Sequence, residues 1–246
     1  MYLWELVLQE VLSKFLLDED SPLQKGKITY EGGKISYEYA GEIDHYIIEC
    51  AKSVSAIDSA VDKVNQSLTI LSYDYINSIG CEQYNLAEYI EFHIESYIIR
   101  AHSIYDRTLI FINKLLQLGI DNSYIGHGLI VSNENVKRFK LDKPLQALKK
   151  QFKTYHNIRN TIIHHDRYKD DEFDTVSLYH KVESLLKQSS KDPMLNEDVL
   201  EALTSEYLEA KTAELTENFN QIKEKLKLFL EESFKVYEHR KSQLKI

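Results

Sequence analysis

Residues 86–118 read LAEYIEFHIESYIIRAHSIYDRTLIFINKLLQL and decide the class of the fold. Apolar residues, replaced only at His93 and Thr108, return every three or four positions for about nine turns, which is the spacing of one helix face. Gly119 follows directly, and glycine in that place is typical of a helix C-cap. The stretch therefore predicts a long amphipathic helix over residues 86–118.

Helical sequence continues on both sides of this stretch, because the 246 residues include only 8 glycines and 3 prolines. The next helix should begin at Lys143, since Asp142 is a good capping residue and Pro144 is tolerated in a first turn. The predicted helices cover residues 2–17, 42–71, 143–165, 173–186 and 197–237, and the connecting stretches are 72–80, 119–134 and 189–193.

Residues 27–39 carry the one β signal that we find in the chain. Ile28, Tyr30, Ile35, Tyr37 and Tyr39 alternate with polar residues around Gly32-Gly33, a pair that tolerates the positive φ of a tight hairpin turn. We expect an all-α fold, a helical bundle with this hairpin as an insertion. We interpret residues 1–246 as a single domain, with helix and hairpin in 1–41 and the bundle in 42–240.

Charge is distributed unevenly along the chain. The net charge is −9, which alone argues against a nucleic-acid partner. Residues 137–169, however, hold ten basic and two acidic side chains, about +8, and leave about −17 for the rest. This pattern fits either an anion-binding face or a solvated lysine-rich helix surface.

Compartment and membrane signals point to a cytoplasmic protein. Cys50 and Cys81 are far apart and form no metal-type pair, which favours a reducing compartment. Polar residues interrupt the apolar N-terminus, so we expect neither a signal peptide nor a membrane span. We also find no glycine-rich phosphate loop and predict no cofactor.

Polar groups collect on one side of the predicted helix around residues 155–165, which read YHNIRNTIIHH. At 100° per residue, His156, Asn160, His164 and Arg167 fall within about 80° of one another. Arg159 is about 140° from His164, but its side chain is long enough to turn back toward the same face. The opposite face presents an apolar surface for packing, formed by Phe152, Tyr155, Ile158 and Ile162.

The sequence Arg159-Asn160-x-x-x-His164 resembles the Arg-x4–6-His motif of the HEPN superfamily, including the polar residue after the arginine. The resemblance covers six residues directly and a compatible helical arrangement over residues 42–240. It implies a helical bundle that forms a homodimer. Many members are metal-independent endoribonucleases that act as toxins or in defence, and others are binding modules.

The resemblance implies catalytic roles for Arg159, Asn160 and His164 in RNA cleavage without a metal. His164 would transfer protons, because histidine titrates near neutrality, and Arg159 would stabilise charge on the phosphoryl oxygens. Asn160 would orient phosphate or His164. Products would be a 2′,3′-cyclic phosphate and a 5′-hydroxyl, formed in a cleft between two copies. Five further side chains are interpreted as contacts to RNA phosphates: Lys149, Lys150, Lys153, His156 and Arg167.

One departure concerns regulation by a partner. In members controlled by a nucleotidyltransferase the motif continues His-x-Tyr, and that tyrosine is modified. Here Tyr168 lies four residues after His164, which argues against the same regulation. A separate antitoxin or regulatory partner stays open.

Other interpretations of the same residues are open. A non-enzymatic binding or scaffold protein would use Arg159 and His164 at an interface. A metal-dependent phosphohydrolase would use His156, Asn160 and His164 or the His165-Asp166 pair, with help from His93, His102 and Asp106. A second polar group on the long helix forms structural pairs, unless Asp106 or Arg107 lines the same cleft; its members are Arg100, His102, Ser103, Asp106 and Arg107.

Overall fold

The structure, a computed structural model, describes residues 3–26, 28–37, 41–78 and 85–245. Within those residues it contains ten α-helices, one 3₁₀ turn and one antiparallel hairpin, which confirms the all-α class with a small β insertion. The elements are α1 (Leu3–Leu16), β1 (Ile28–Glu31), β2 (Lys34–Tyr37), α2 (Glu42–Ile70), α3 (Tyr73–Ser78), α4 (Leu86–Leu115), the 3₁₀ turn (Asn122–Tyr124), α5 (His127–Ser132), α6 (Glu134–Arg138), α7 (Asp142–Gln151), α8 (His156–His164), α9 (Asp171–Gln188) and α10 (Glu197–Leu244).

The hairpin has the turn that its glycines predict. Gly32 and Gly33 have φ of 59° and 78°, so both central residues of the turn are left-handed, as a type I′ turn requires. The flanking residues Glu31 and Lys34 pair directly across the two strands. Lys27 and Tyr39, at the predicted ends of the hairpin, and Gly80 and Cys81 lie outside the described residues.

Helix α4 begins with a capping box that the sequence analysis did not identify. The Asn85 side chain accepts from the Glu88 backbone N–H at 3.0 Å, and the Glu88 carboxylate accepts from the Asn85 N–H at 2.9 Å. The box satisfies two backbone donors at the helix start. The predicted apolar face is buried along α4, at positions that include Ile90, Tyr97, Ala101, Ile104 and Ile112.

The predicted C-cap at Gly119 was wrong by two residues. Helix α4 ends at Leu115, and Gln117 takes the left-handed position with φ of 49°. The Leu118 N–H bonds to the Asn113 carbonyl and the Gln117 N–H to the Lys114 carbonyl, which is a Schellman motif. Gly119 is also left-handed, at φ 69°, but follows the cap.

The same motif with a non-glycine residue ends two more helices. Lys140 after α6 and Ser190 after α9 have φ of 57° and 50°, and the hydrogen bonds around each repeat the Schellman pattern. Side chains with a Cβ are strained in this conformation. Three helix ends therefore hold strain that a glycine would remove.

The predicted helix over 143–165 is two helices, because residues 152–155 leave the helical pattern. In a continuous helix the His156 N–H would bond to the Phe152 carbonyl. Instead it bonds to the Lys153 carbonyl at 3.2 Å, and the Phe152 carbonyl lies 3.1 Å from the ring Nε2 of His102. Phe152 and Tyr155 are both 6% exposed. One helical turn is therefore replaced by the buried rings of Phe152 and Tyr155 and by the contact of the Phe152 carbonyl with His102 of α4.

Three further expectations need correction. The stretch 72–80 contains α3, and the stretch 119–134 contains the 3₁₀ turn and α5 and ends at the first residue of α6; the short lengths of these elements leave little periodicity to detect. The last helix continues to Leu244 instead of ending near Tyr237. None of the helices in the described ranges is long and apolar enough to cross a membrane.

The chain divides into two compact units, and the first comprises Met1–Val61, Ser103–Gln151 and Gln221–Ile246. Its core contains Phe15, whose ring lies 5.5 Å from that of Phe111 and 5.1 Å from that of Tyr237. Beside this cluster the buried Asp18 carboxylate accepts from the Tyr237 hydroxyl and from Lys241, both at 2.7 Å. The pairing satisfies a charge that would otherwise be costly to bury.

The second unit comprises Asp62–His102 and Phe152–Asn220 and contains α8. Tyr97 is fully buried and donates its hydroxyl to the Leu215 carbonyl at 2.8 Å. Phe173 at the start of α9 is also fully buried, with the Tyr207 ring 5.6 Å away. Three of the four unit boundaries fall inside α2, α4 and α10, the fourth lies directly after α7, and the single domain over residues 1–246 stays a prediction.

Glycine at a left-handed helix end should stabilise the protein. We expect Lys140→Gly to raise the free energy of unfolding by about 0.5–1 kcal/mol, because the relieved strain exceeds the entropy that glycine costs. The matched control is Lys181→Gly, an exposed lysine inside α9, which should lower it by about 1 kcal/mol. Urea unfolding measures both, and a loss in both variants would contradict the strained cap.

Candidate functional site

Helix α8 carries the Arg-x4-His motif and has no fully buried residue. Arg159 and Asn160 are half-buried in its middle, whereas His164 is its last residue and is exposed. The His165 and Asp166 N–H groups both bond to the Thr161 carbonyl, and the helix ends there. The motif arginine is thus held partly within the protein, while the motif histidine faces solvent.

Three side chains of α8 form a continuous hydrogen-bonded row. Arg159 Nη1 donates to Asn160 Oδ1 at 3.2 Å, and Asn160 Nδ2 lies 3.3 Å from His156 Nε2. Asn160 and His156 are one turn apart, as the helical spacing predicts. Among the described residues no hydrogen bond joins His164 to Arg159 or Asn160, and the His164 ring lies 6.1 Å from that of His165.

The charge of Arg159 is not compensated by an acid. Within the described part of the chain no carboxylate lies within 4.0 Å of its guanidinium, and Asn160 Oδ1 is the one acceptor that it contacts. Its Nε is buried and makes no hydrogen bond to a described residue. A half-buried cation with unused donors attracts an anion more strongly than an arginine paired with a carboxylate.

His102 lies against this row from α4 and is 9% exposed. Its ring is 6.1 Å from that of His156 and 5.6 Å from that of Phe152. Ring Nδ1 faces the Ile98 carbonyl at 3.0 Å, and Nε2 faces the Phe152 carbonyl. Burial is the main reason that the pKa of His102 lies below its usual value, and the charge of Arg159 lowers it further. From the sequence we placed His102 in the second polar group, and no sequence signal indicates its position behind the motif.

Lys211 of α10 fixes the chain on both sides of α8. Its ammonium donates to Asp170 Oδ2 at 2.8 Å and to Glu214 Oε2 at 2.7 Å. Asp170 caps α9 by accepting from the Phe173 N–H, and Glu214 accepts from the hydroxyl of Tyr155, which directly precedes α8. The capping position of Asp170 was readable from the sequence, but nothing there pairs it with Lys211.

The ionisation of this cluster follows from its contacts. Burial disfavours the charge on Asp170, but hydrogen bonds from Lys211, Tyr168 and the Phe173 N–H hold the pKa of its carboxyl below the usual range. Burial also opposes the charge on Lys211, yet its two carboxylate partners raise its pKa above the ordinary lysine value. The pair is therefore charged across the whole neutral range.

Tyr168 is an inaccessible target for modification in this conformation. It is 2% exposed, and its hydroxyl donates to Asp170 Oδ2 at 2.8 Å. Burial raises the pKa of that hydroxyl above its usual value. The backbone N–H of Tyr168 also bonds to Glu95 at 2.7 Å. Attachment of a nucleotide to the tyrosine oxygen would require this segment to open.

Arg167 does not share the helical face of Asn160 and His164, because α8 ends at His164. Its guanidinium instead lies 3.7 Å from Glu91 and 3.2 Å from Asp174. Burial raises the pKa of Glu91, and the charge of Arg167 opposes that shift. An RNA phosphate at Arg167 would therefore compete with two carboxylates.

The predicted lysine contacts fall into both units. Lys149 and Lys150 are in the last turn of α7 in the first unit, where Lys149 is half-buried and Lys150 is exposed. Lys153 is exposed in the turn that precedes α8 in the second unit. Of the three lysines, Lys153 is therefore the one that belongs to the same unit as Arg159.

The second polar group on α4 separates by role. Arg107 donates to the Ala56 carbonyl of α2 at 2.6 Å, a structural contact within the first unit. Arg100 donates to Ser96 one turn away and is exposed.

Among the residues that the structure describes, no three His, Cys, Asp or Glu side chains are grouped so that they could hold a metal ion.

Replacing Lys211 with methionine keeps an unbranched side chain of similar length and removes its charge. We expect the free energy of unfolding to fall by about 1–3 kcal/mol at neutral pH, because two carboxylates lose a charged donor. Since the folded pKa of Asp170 is lowered, its share of this stability is complete above about pH 4 and is lost as pH falls through the folded pKa. Urea unfolding should show the difference from wild type shrinking below about pH 4.

Lys235→Met provides the matched control for this measurement. Lys235 pairs with Glu232 at 2.6 Å, but its side chain is 69% exposed. An exposed pair contributes little, so this variant should lose less than about 0.5 kcal/mol. Equal losses in the two variants would contradict the anchoring role of Lys211.

Comparison with known proteins places the chain in a family. Residues 44–239 match the family model described as HEPN_Cthe2314-like HEPN, a range that includes all of α8. No curated protein and no solved structure matches the chain. Because the match spans well over half of the 246 residues, this chain belongs to the HEPN_Cthe2314-like HEPN family.

Proposed function

We propose that this protein is a metal-independent endoribonuclease of HEPN type. HEPN domains are commonly RNases, which gives the coarse class of activity. The observation that carries the proposal is the uncompensated guanidinium of Arg159, five residues before the exposed His164. A fixed cation and a solvent-facing imidazole are the groups that phosphodiester cleavage without a metal requires.

In the proposed reaction the RNA supplies its own nucleophile. His164 takes the proton of a 2′-hydroxyl, whose oxygen attacks the adjacent phosphorus, while a histidine acting as acid donates a proton to the departing 5′-oxygen. Arg159 stabilises the negative charge that grows on the phosphoryl oxygens in the transition state. The bond to the 5′-oxygen breaks, and the products are a 2′,3′-cyclic phosphate and a 5′-hydroxyl.

Acid and base can both be histidines if two copies of the chain face each other. A homodimer joins two α8 helices in a composite cleft, and each supplies one His164 and one Arg159. We therefore propose a homodimer, and a light-scattering mass equal to one 28.8 kDa chain at micromolar concentration would contradict it. RNA phosphates beyond the cleaved one would contact Lys153 and, more weakly because of its two carboxylate partners, Arg167.

A biological role as a toxin or defence effector fits this activity, because uncontrolled RNA cleavage harms the cell that makes the enzyme. Such a protein needs restraint by a separate antitoxin or regulatory partner. The buried position of Tyr168 favours restraint by binding over modification of that tyrosine. A cytoplasmic location would bring the protein to its RNA.

One observation favours a second candidate, a non-enzymatic RNA-binding or scaffold protein. Among the described residues, neither the arginine nor the asparagine of the motif makes a hydrogen bond to His164. A catalytic histidine is normally oriented by a neighbour, whereas a contact residue at an interface needs no such support. A protein of this kind would bind RNA and leave it intact.

Variants of the two motif residues separate the candidates. In EDTA, we expect purified wild-type protein to cleave RNA, His164→Ala to lose about 10²–10⁴-fold in rate and Arg159→Ala about 10²–10³-fold. His45→Ala, which changes an exposed histidine of the first unit, should keep the wild-type rate. Denaturing gels of a labelled oligonucleotide give the rates.

The outcomes assign the function directly. Cleavage by wild type and by His45→Ala, with loss in both motif variants, supports the ribonuclease. A His164→Ala protein that cleaves as fast as wild type would contradict the assignment of that residue. Binding without cleavage by the wild type would favour the second candidate.

A further inference from the structure

The contact between Arg159 and Asn160 fixes the orientation of the Asn160 amide. An arginine side chain carries donors and no acceptor. The Asn160 atom that lies 3.2 Å from Arg159 Nη1 must therefore be the oxygen. The amide nitrogen then faces the other way, toward His156, and its two hydrogens can only be donated.

The orientation of this amide in turn fixes the proton on His156. The ring atom 3.3 Å from Asn160 Nδ2 is Nε2, and it must accept, so it carries no proton. The ring proton of His156 is then on Nδ1. This is the opposite of a histidine in water, which favours the proton on Nε2. A donor-only arginine thus selects a histidine tautomer through one asparagine.

This arrangement does not fit the role that we gave His156 from the sequence. A histidine that binds a phosphate and contributes charge has protons on both nitrogens. With a proton on Nε2, that atom and Asn160 Nδ2 would be two facing donors, and the amide could no longer bond to His156 while it holds Arg159. The observed row therefore requires that Nε2 of His156 carries no proton.

We propose that His156 is a positioning residue for Arg159 and does not itself bind phosphate. By accepting from Nδ2 it holds the amide plane of Asn160, and Oδ1 of that amide holds Nη1 of Arg159. The packed ring of His102, 6.1 Å from the His156 ring, supports the arrangement from α4. The guanidinium is held in place before an anion arrives, which lowers the cost of organising the transition state.

The tautomer can be measured without any activity. Long-range ¹H–¹⁵N correlation spectra of the histidine rings, recorded at about pH 8.5 where an ordinary imidazole is neutral, distinguish the two tautomers. We expect His156 to carry its proton on Nδ1 in the wild type. In Asn160→Ala, which keeps His156 and removes its donor, we expect the proton to return to Nε2. A wild-type His156 with its proton on Nε2 would overturn the proposal.

Kinetics test the positioning role itself, and this part rests on the proposed ribonuclease function. For His156→Ala we expect kcat to fall roughly ten- to a hundredfold with little change in the Kd for RNA, because Arg159 is displaced but still charged. His156→Gln should recover part of the loss, since a glutamine carbonyl can accept from Asn160. His45→Ala serves again as the control.

Each kinetic outcome decides between positioning and phosphate contact. If His156 binds phosphate, His156→Ala weakens RNA binding and reduces the salt dependence of log Kd by about 0.7–0.9, which would overturn the proposal. A loss in kcat at unchanged Kd, with partial rescue by glutamine, supports it. If the wild type cleaves no RNA, the ribonuclease proposal fails, and the tautomer alone decides the role of His156.

Discussion

The ammonium group of Lys211 holds the segment on which the candidate site depends. It binds Asp170 and Glu214, and through them it contacts the cap of α9 and the hydroxyl of Tyr155, which precedes α8. Helix α8 has only nine residues and no side-chain cap at its start, so its own hydrogen bonds would not keep it folded. Attachment at both sides gives this short helix a defined place against α4 and α10 within the second unit.

The same contacts explain why Arg159 is free to attract an anion. Four acidic residues of this unit near the motif segment already have cationic partners: Asp170 and Glu214 pair with Lys211, and Glu91 and Asp174 pair with Arg167. None of these carboxylates is within 4.0 Å of Arg159. Although the chain is acidic, with a net charge of −9, this local pairing leaves the guanidinium of Arg159 without a carboxylate partner.

The parts that the sequence predicts well are those set by neighbours along the chain. The periodic face of α4 and the paired glycines of the hairpin depend on residues a few positions apart, and both were confirmed. The break between α7 and α8 was missed because it depends on His102, fifty residues before Phe152. The cap at Gln117 was missed because a left-handed glutamine is strained and gives no sequence signal.

The candidate site shows the same division between local and distant contacts. The spacing of His156 and Asn160 correctly placed them side by side, because both lie within one helix. Arg167 was placed on that face only because the helix was extended past its true end at His164. Lys211, His102 and Glu214 reach the site from other helices, and their separation along the sequence hides that role.

Direct identification of the RNA ends tests the central claim that Arg159 and His164 form a metal-independent ribonuclease site. A defined RNA oligonucleotide is incubated with wild-type protein in EDTA, and the fragments are analysed by mass spectrometry. We predict fragments with 2′,3′-cyclic phosphate and 5′-hydroxyl ends, and none when every 2′-hydroxyl is replaced by 2′-O-methyl. Fragments with 5′-phosphate ends, or cleavage of the methylated RNA, would contradict the account.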